Sequence, residues 1–462
     1  MDNISWLLTM LDRAHSGPVH SAEEWDMEFV HKKIKAILKS HNLNKTFSPE
    51  EPVNWDDDLA DAFFKAGIEL AQQTGLLCID TDRVIQMTEE EIADGLATQP
   101  DKVSLGSGPE QFYRRRRLPE DPTPPMFAAL VGTPISENIY VDLTAELIRI
   151  PEVDSLTGGT LHTAYSREII GGTPYETIAG RYEARLNREA AERAGRPGMS
   201  LTATEMSPTA YGVLSSMGQP NGYRPGIDEG LALSPAELRT AFEVLHKVAH
   251  FHMCGADIRS GSPGMIFGYA GGPEGAVLSN IASITLQRAI YRNTIGGGHA
   301  YDIRYLGNCG RHGLWALSVL NQALSRNSNF LAGGLIEQKA GPNTEMLLLE
   351  TAVGHITLNV SGVSGTLGPR SAGGALLDYI TPIETQFTAQ IFKAASGMTR
   401  KQANEIAKTL LPRYEDKLTN APIGQTIHQC YDVKTMTPHD DYVELIQKVK
   451  QELIGLGVPL TK

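Results

Sequence analysis

Cysteine is scarce: four in 462 residues, Cys78, Cys254, Cys309 and Cys430, widely dispersed and never in a CxxC pair. That argues against a disulfide framework or a clustered zinc site and reads as reduced thiols in a cytoplasmic protein. Long apolar runs are also missing, and the N-terminus, with Asp2 and further early charges, lacks the basic region and apolar core of a secretory signal. Positive charge is in deficit, 41 Lys and Arg against 54 Asp and Glu, giving a formal net charge of −13. Such a surface attracts neither nucleic acid nor an anionic membrane, which leaves small molecules or proteins as partners. No repeat or low-complexity segment is found.

What is present is a strongly patterned chain. Residues 1–120 read as a helical N-terminal extension: Trp25–Lys39 has helical apolar spacing, Ser48 and Thr88 begin capping boxes, and Asp58–Thr74 is amphipathic with Gly75 as a stop. The arginine run Arg114–Arg117, followed by a proline-rich segment, reads as a solvated linker face or as salt bridges to the acidic surface, with docking of an anionic partner as the alternative. From 121 to 397 short strand-like runs alternate with helices. Expected strands are Met126–Val131, Ser155–Ala164, Met199–Thr204, Val248–Cys254, Tyr301–Tyr305, Asn329–Leu335 and Ile356–Val360. Expected helices include Tyr175–Ala194, one starting at Ser234-Pro-Ala-Glu237, Glu274–Arg292, Arg311–Ser325 and Asn343–Ala352, with Gly261–Gly272 as a glycine-rich connection. So many alternations predict an α/β chain folded as a (β/α)8 TIM barrel, with a doubly wound open sheet as the alternative. Residues 398–462 read as a C-terminal helical segment packed on the barrel, where Tyr442, Leu445, Ile446, Val449 and Leu453 form one apolar stripe.

The stretch Gly195-Arg-Pro-Gly-Met-Ser-Leu-Thr202 organises the reading. Gly195 closes a charged helix, and from Met199 the side chains alternate, with Met199, Leu201 and Ala203 on one face and Ser200, Thr202 and Thr204 on the other. In a parallel barrel the apolar face meets the helices, which puts hydroxyls where most barrels keep aliphatic packing. A cavity is expected there; ordinary strand residues with local hydrogen bonds are the bland alternative. His246, His250, His252 and Cys254 are the densest set of metal-ligand types, but no one geometry presents all four, so no metal site is assigned. Asp228-Glu229 follows a turn-rich piece and is placed on a loop at the C-terminal end of a strand, where barrels hold their sites.

Several blocks in one order resemble the monomethylamine methyltransferase family (MtmB): Lys65-Ala-Gly67, Cys78-Ile-Asp-Thr81, Gly132-Thr-Pro-Ile-Ser-Glu137, Ala194-Gly-Arg-Pro-Gly-Met199, Gly268-Tyr-Ala-Gly-Gly272, Ala340-Gly-Pro-Asn-Thr-Glu-Met346 and Cys430-Tyr-Asp-Val-Lys-Thr435. The resemblance implies a barrel, a homo-oligomer, and transfer of a methyl group from methylamine to a cobalt corrinoid on a partner protein, with no tightly bound cofactor of its own. The family's signature residue, pyrrolysine, is expected two or three residues after Gly-Arg-Pro-Gly-Met; here Thr202 holds that place. Glu229 matches a carboxylate that neighbours the pyrroline ring. A further carboxylate expected shortly before Gly268 is absent, the chain reading Arg259-Ser-Gly-Ser-Pro-Gly264, and a Gln and a Tyr expected before Ala340 align with about Leu335 and Glu337.

Thr202 has no electrophilic carbon to capture an amine. The reading is therefore a methyltransferase whose donor is pre-activated, a quaternary or otherwise cationic methylated amine, with the Co(I) corrinoid of a partner as acceptor. Thr202 is expected to shape the site, Glu229 and Glu337 to supply counter-charge, Leu335 to line the pocket and Tyr223 to add a cation–π contact. The other readings are a genuine monomethylamine enzyme, a zinc-dependent enzyme acting on an alcohol or thiol, and a non-catalytic small-ligand-binding barrel.

Overall fold

The computed structural model describes residues 1–203 and 208–460, so Thr204 of the organising stretch lies outside the described residues. Eight parallel strands close into a barrel: β1 (Met126–Ala129), β2 (Ser155–Leu156), β3 (Ser200–Ala203), β4 (Glu229–Leu233), β5 (Asp257–Ile266), β6 (Ile295–Asp302), β7 (Leu331–Leu335) and β8 (Gly365–Gly368). Each is followed by a helix: α1 (Tyr140–Arg149), α2 (Pro174–Arg193), α3 (Tyr211–Ser216), α4 (Phe242–Cys254), α5 (Pro273–Tyr291), α6 (Arg311–Asn327), α7 (Glu345–Val360) and α8 (Pro382–Ala394). The alternation predicted the barrel, and the open sheet is excluded because β2 pairs with both β1 and β3, closing the ring.

Several strands lie elsewhere than expected. Val248–Cys254 is the second half of α4, which ends at Gly255 with φ +74, and Ser234–Glu237 starts no helix. Ile356–Val360 completes α7 and the strand after it is β8. The supposed glycine-rich connection holds most of β5, and β6 begins at Ile295, ahead of Tyr301. Ile356, Thr357 and Val360 favour a strand locally, but burial on all sides of α7 overrides that preference.

The N-terminal segment adds a third layer and is not purely helical. Its helix Asp57–Thr74 lies on α5 so closely that a Cβ at Gly67 would stand 2.4 Å from Ile281 Cγ2. This cover explains why α5 has no polar face: every residue from Pro273 to Tyr291 except Glu274 is buried. The same segment carries a hairpin, Lys102–Leu105 paired with Phe112–Arg115. Val103 and Leu105 pack on Ile295 and Leu331, the first residues of β6 and β7, so the hairpin lies across the N-terminal end of the barrel.

The arginine run is therefore not a solvated linker. Only Arg115 is exposed, paired with Asp121. Arg116 donates to the carbonyls of Ser325 and Arg326 at the end of α6, and Arg117 to those of Asn359 and Val363 around the end of α7. Both supply donors and positive charge where a helix C-terminus leaves carbonyls unmet. Arg114 points inward, into the barrel.

Candidate active site

The lumen is hollow because the strands around it are short of side chains. Gly297 on β6 and Gly333 on β7 face inward, and a Cβ on Gly333 would stand 2.9 Å from Arg114 Nη2. The outward-facing Gly296 and Gly298 let the outer layer approach: Cβ atoms there would meet Phe330, on the segment leading into β7, at 2.9 Å and Asn280 Oδ1 of α5 at 2.5 Å. Glycine in a strand marks such close approaches. The result is a cavity of about 100 Å³ lined by Arg114, Leu231, Leu233, Arg259, His299, Tyr301, Leu335 and Arg370 among others.

At its floor sits an ionic cluster. Thr202 pairs in register with Glu229 across β3 and β4, and both are fully buried. Arg259, two residues into β5, donates from Nη2 to Thr202 Oγ1 at 3.0 Å and from Nε to Glu229 Oε2 at 2.5 Å. Arg114 rises from the hairpin, donates from Nε to Ser364 Oγ at 2.8 Å and brings Nη1 to 4.0 Å from Glu229 Oε1. Burial lowers Arg114 to about 10, which leaves it charged at neutral pH. Asp257 begins β5, two residues before Arg259. Burial raises its carboxyl, a hydrogen bond from Thr294 opposes this, and the charge of Glu229 raises it further.

Nearer the C-terminal ends of the strands, Glu337 follows β7 and pairs with Arg370 Nε at 3.0 Å. Burial pushes Glu337 up to about 7 against the pull of Arg370, Lys339 and a hydrogen bond from Tyr301. His299 is pushed down to about 4 by burial with Arg370 adding to the effect, so at neutral pH it is an uncharged ring. Its Nδ1 is buried and has no hydrogen-bond partner.

The structure thus brings Thr202, Glu229 and Leu335 together in or beside one cavity, with Glu337 at its rim through Arg370. Glu229 differs from expectation in place: it opens β4 at the floor and is not on a C-terminal loop. Tyr223 is not in the lumen. It lies on the connection leading into β4, folded back by the turn at Gly218 and Asn221, and its hydroxyl accepts from Asn187 Nδ2 of α2 at 3.0 Å. Its ring is buried in the core and offers no face to a ligand there.

Of the three histidines of α4, His246 is exposed, and the other two are bonded to backbone carbonyls, His250 to Met217 at 3.0 Å and His252 to Tyr291 at 2.8 Å. Among the described residues no group of three or more His, Cys, Asp or Glu is placed to hold a metal. Sequence reasoning overlooked Arg114, His299, Tyr301 and Arg370, and saw Arg259 only as a departure from pattern. The glycine runs Gly296–Gly298 and Gly333-Gly334 were the signal available: bare strand positions need something large beside them.

Comparison with known proteins fits this architecture. The sequence profile of the monomethylamine methyltransferase MtmB matches residues 7–458. The chain is 29% identical over 448 residues to monomethylamine methyltransferase MtmB of Methanosarcina mazei, covering 97% of each chain, and 30% identical over 452 residues to one of Methanosarcina barkeri, again 97% of each. It superposes on the crystal structure of the Methanosarcina barkeri monomethylamine methyltransferase with a TM-score of 0.93 over 98% of both chains at 28% identity. A hydroxylamine complex of MtmB gives 0.94. No helix among the described residues is long and apolar enough to cross a membrane. A profile match over nearly the whole length and a shared barrel with the same extensions place this chain in the MtmB family of monomethylamine methyltransferases.

Proposed function

We propose that this protein transfers a methyl group from a methylated amine, already activated as a quaternary ammonium, to the Co(I) corrinoid of a partner protein in the cytoplasm. The observation that carries the reading is the cavity beside Thr202, whose only reactive atom, the hydroxyl, already accepts from Arg259. A hydroxyl with no electrophilic carbon cannot trap an amine, so the donor must bring its own leaving group. Co(I) attacks the methyl carbon, the N–CH3 bonding pair returns to nitrogen, and a neutral tertiary amine departs. The corrinoid is the acceptor substrate. The chain's own residues bind the donor, exclude water and aim the methyl group toward the open ends of the strands.

The test is to mix the protein with a corrinoid protein reduced to Co(I) and a panel of methylamine, dimethylamine, trimethylamine and quaternary donors. The expected result is the absorption of methyl-Co(III) with a quaternary donor alone. Turnover of methylamine would replace this reading with the activity named for the relatives. No turnover with any donor would leave a binding barrel.

Counter-charge for the ammonium falls to Glu337, which answers one guanidinium, Arg370, whereas Glu229, expected to share that role, is already flanked by two, Arg259 and Arg114. With Glu337 raised to about 7, a cationic donor should bind better as pH rises through that value, because only the ionised carboxylate attracts it. From about one pH unit below to one above, a gain of several-fold is expected. Titration calorimetry across that window checks it, and Glu337→Gln should flatten the dependence.

A further inference from the structure

We propose that the donor carries a carboxylate as well as its methylated ammonium, and that Arg114 and Arg259 hold that carboxylate at the floor of the cavity. The proposal rests on the methyl-transfer reading and narrows its substrate class to a zwitterion. Both guanidiniums line the cavity and are almost wholly buried, at 2% and 6% exposure. Each has spent part of its donor set: Arg259 on Glu229 and Thr202, Arg114 on Ser364. Each also has an Nη1 that is cut off from solvent and has no hydrogen-bond partner. Two buried guanidiniums against the single carboxylate of Glu229 leave net positive charge at the floor, which points to an anion that arrives with the ligand.

The carboxylates at hand do not fill that role. Glu229 Oε2 is taken by Arg259, and its Oε1 stays 4.0 Å from Arg114 Nη1, too long for a hydrogen bond. Asp257, the other acid at this level, interacts with Thr294. A simple cation at the floor would face two guanidiniums across a few ångströms of low-dielectric space, which is repulsive. A carboxylate there would balance the charge of both guanidiniums.

The orientation also suits the chemistry. With its carboxylate at the floor, the donor's ammonium lies toward the strand ends, near Tyr301 and the Glu337–Arg370 pair, with its methyl groups facing the side from which a partner protein must approach. A cavity of about 100 Å³ has room for such a molecule, since a single water needs only roughly 10–15 Å³ on that measure.

The experiment compares binding of trimethylammonioacetate, tetramethylammonium and acetate to the full-length protein by calorimetry and thermal shift. The zwitterion is expected to bind at least about tenfold more tightly than either half, the worth of one added charge-assisted hydrogen bond. Arg114→Gln should remove that advantage while leaving tetramethylammonium binding unchanged or better. Arg114→Lys, which keeps the charge, should retain part of it and guards against a folding defect in the first variant. Tetramethylammonium binding as tightly as the zwitterion overturns the proposal, as does acetate doing so, or a preference that survives Arg114→Gln. The two ideas fail separately. Zwitterion binding that depends on Arg114 but yields no methyl-Co(III) sinks methyl transfer alone, whereas transfer from tetramethylammonium with no zwitterion binding sinks the carboxylate site alone.

Discussion

Replacing Arg259 with methionine is expected to destabilise the protein by about 3 kcal/mol, because it strips a buried carboxylate of its principal partner while keeping the site filled. Glu229 is fully buried and takes its hydrogen bond from Arg259; Arg114, at 4.0 Å, cannot replace that contact without moving. Thr202 loses its donor in the same step. The second half of the experiment is the rescue. Arg259→Met combined with Glu229→Gln removes the stranded charge and should recover most of the loss, giving a coupling of about 2 kcal/mol in a double-mutant cycle. Denaturant unfolding of the four proteins measures it. A single Arg259→Met that costs under about 1 kcal/mol would mean that the ion pair contributes little and that solvent reaches Glu229. The pair then matters for function in a specific way: it holds one guanidinium edge against Glu229 and Thr202 and leaves the other for the lumen.

How far this site could be read in advance differs from residue to residue. The alternation of Met199–Ala203 put Thr202 on the inward face, and there its hydroxyl meets Arg259. Adjacent strands in register then brought Glu229 beside it, although the turn-rich sequence before Asp228 had made Glu229 look like a loop acid. Arg114 was illegible for a different reason. Four consecutive arginines look like a solvated face, and only the hairpin's position across the barrel end decides that one points inward while two others close helix ends. The barrel survived the misplacing of several strands because strand–helix alternation depends on counting elements, not on their boundaries. β5, β6 and β8 were missed or displaced for the very reason that makes the cavity: their glycines lower strand propensity and remove the side chains that would have filled the lumen. Tyr223 stands close to β4 in sequence but outside the lumen, because the chain enters β4 from the end remote from the mouth.

Asp228→Ala, which touches no cavity-lining residue, should nevertheless lower stability by about 3 kcal/mol or more. Asp228 is fully buried just before β4 and pairs with Arg188 of α2 and with Arg224. It also accepts from the Leu201 backbone N–H at 2.9 Å and the Arg224 N–H at 2.6 Å. Removing it leaves an inner strand amide unmet and two cations without their partner; both retain some contact with water, which keeps the figure at the lower end for a broken buried pair. Asp228→Asn separates the two roles. It keeps an acceptor for Leu201 but loses the charge, so a smaller loss of about 1–2 kcal/mol is expected. Leu201 stands next to Thr202, so the variants should also part in binding: Asp228→Asn should keep donor affinity within a few-fold, while Asp228→Ala should weaken it even where the protein remains folded. Equal losses in the two variants would assign Asp228 a purely electrostatic role, and the position of Thr202 would then rest on strand pairing alone.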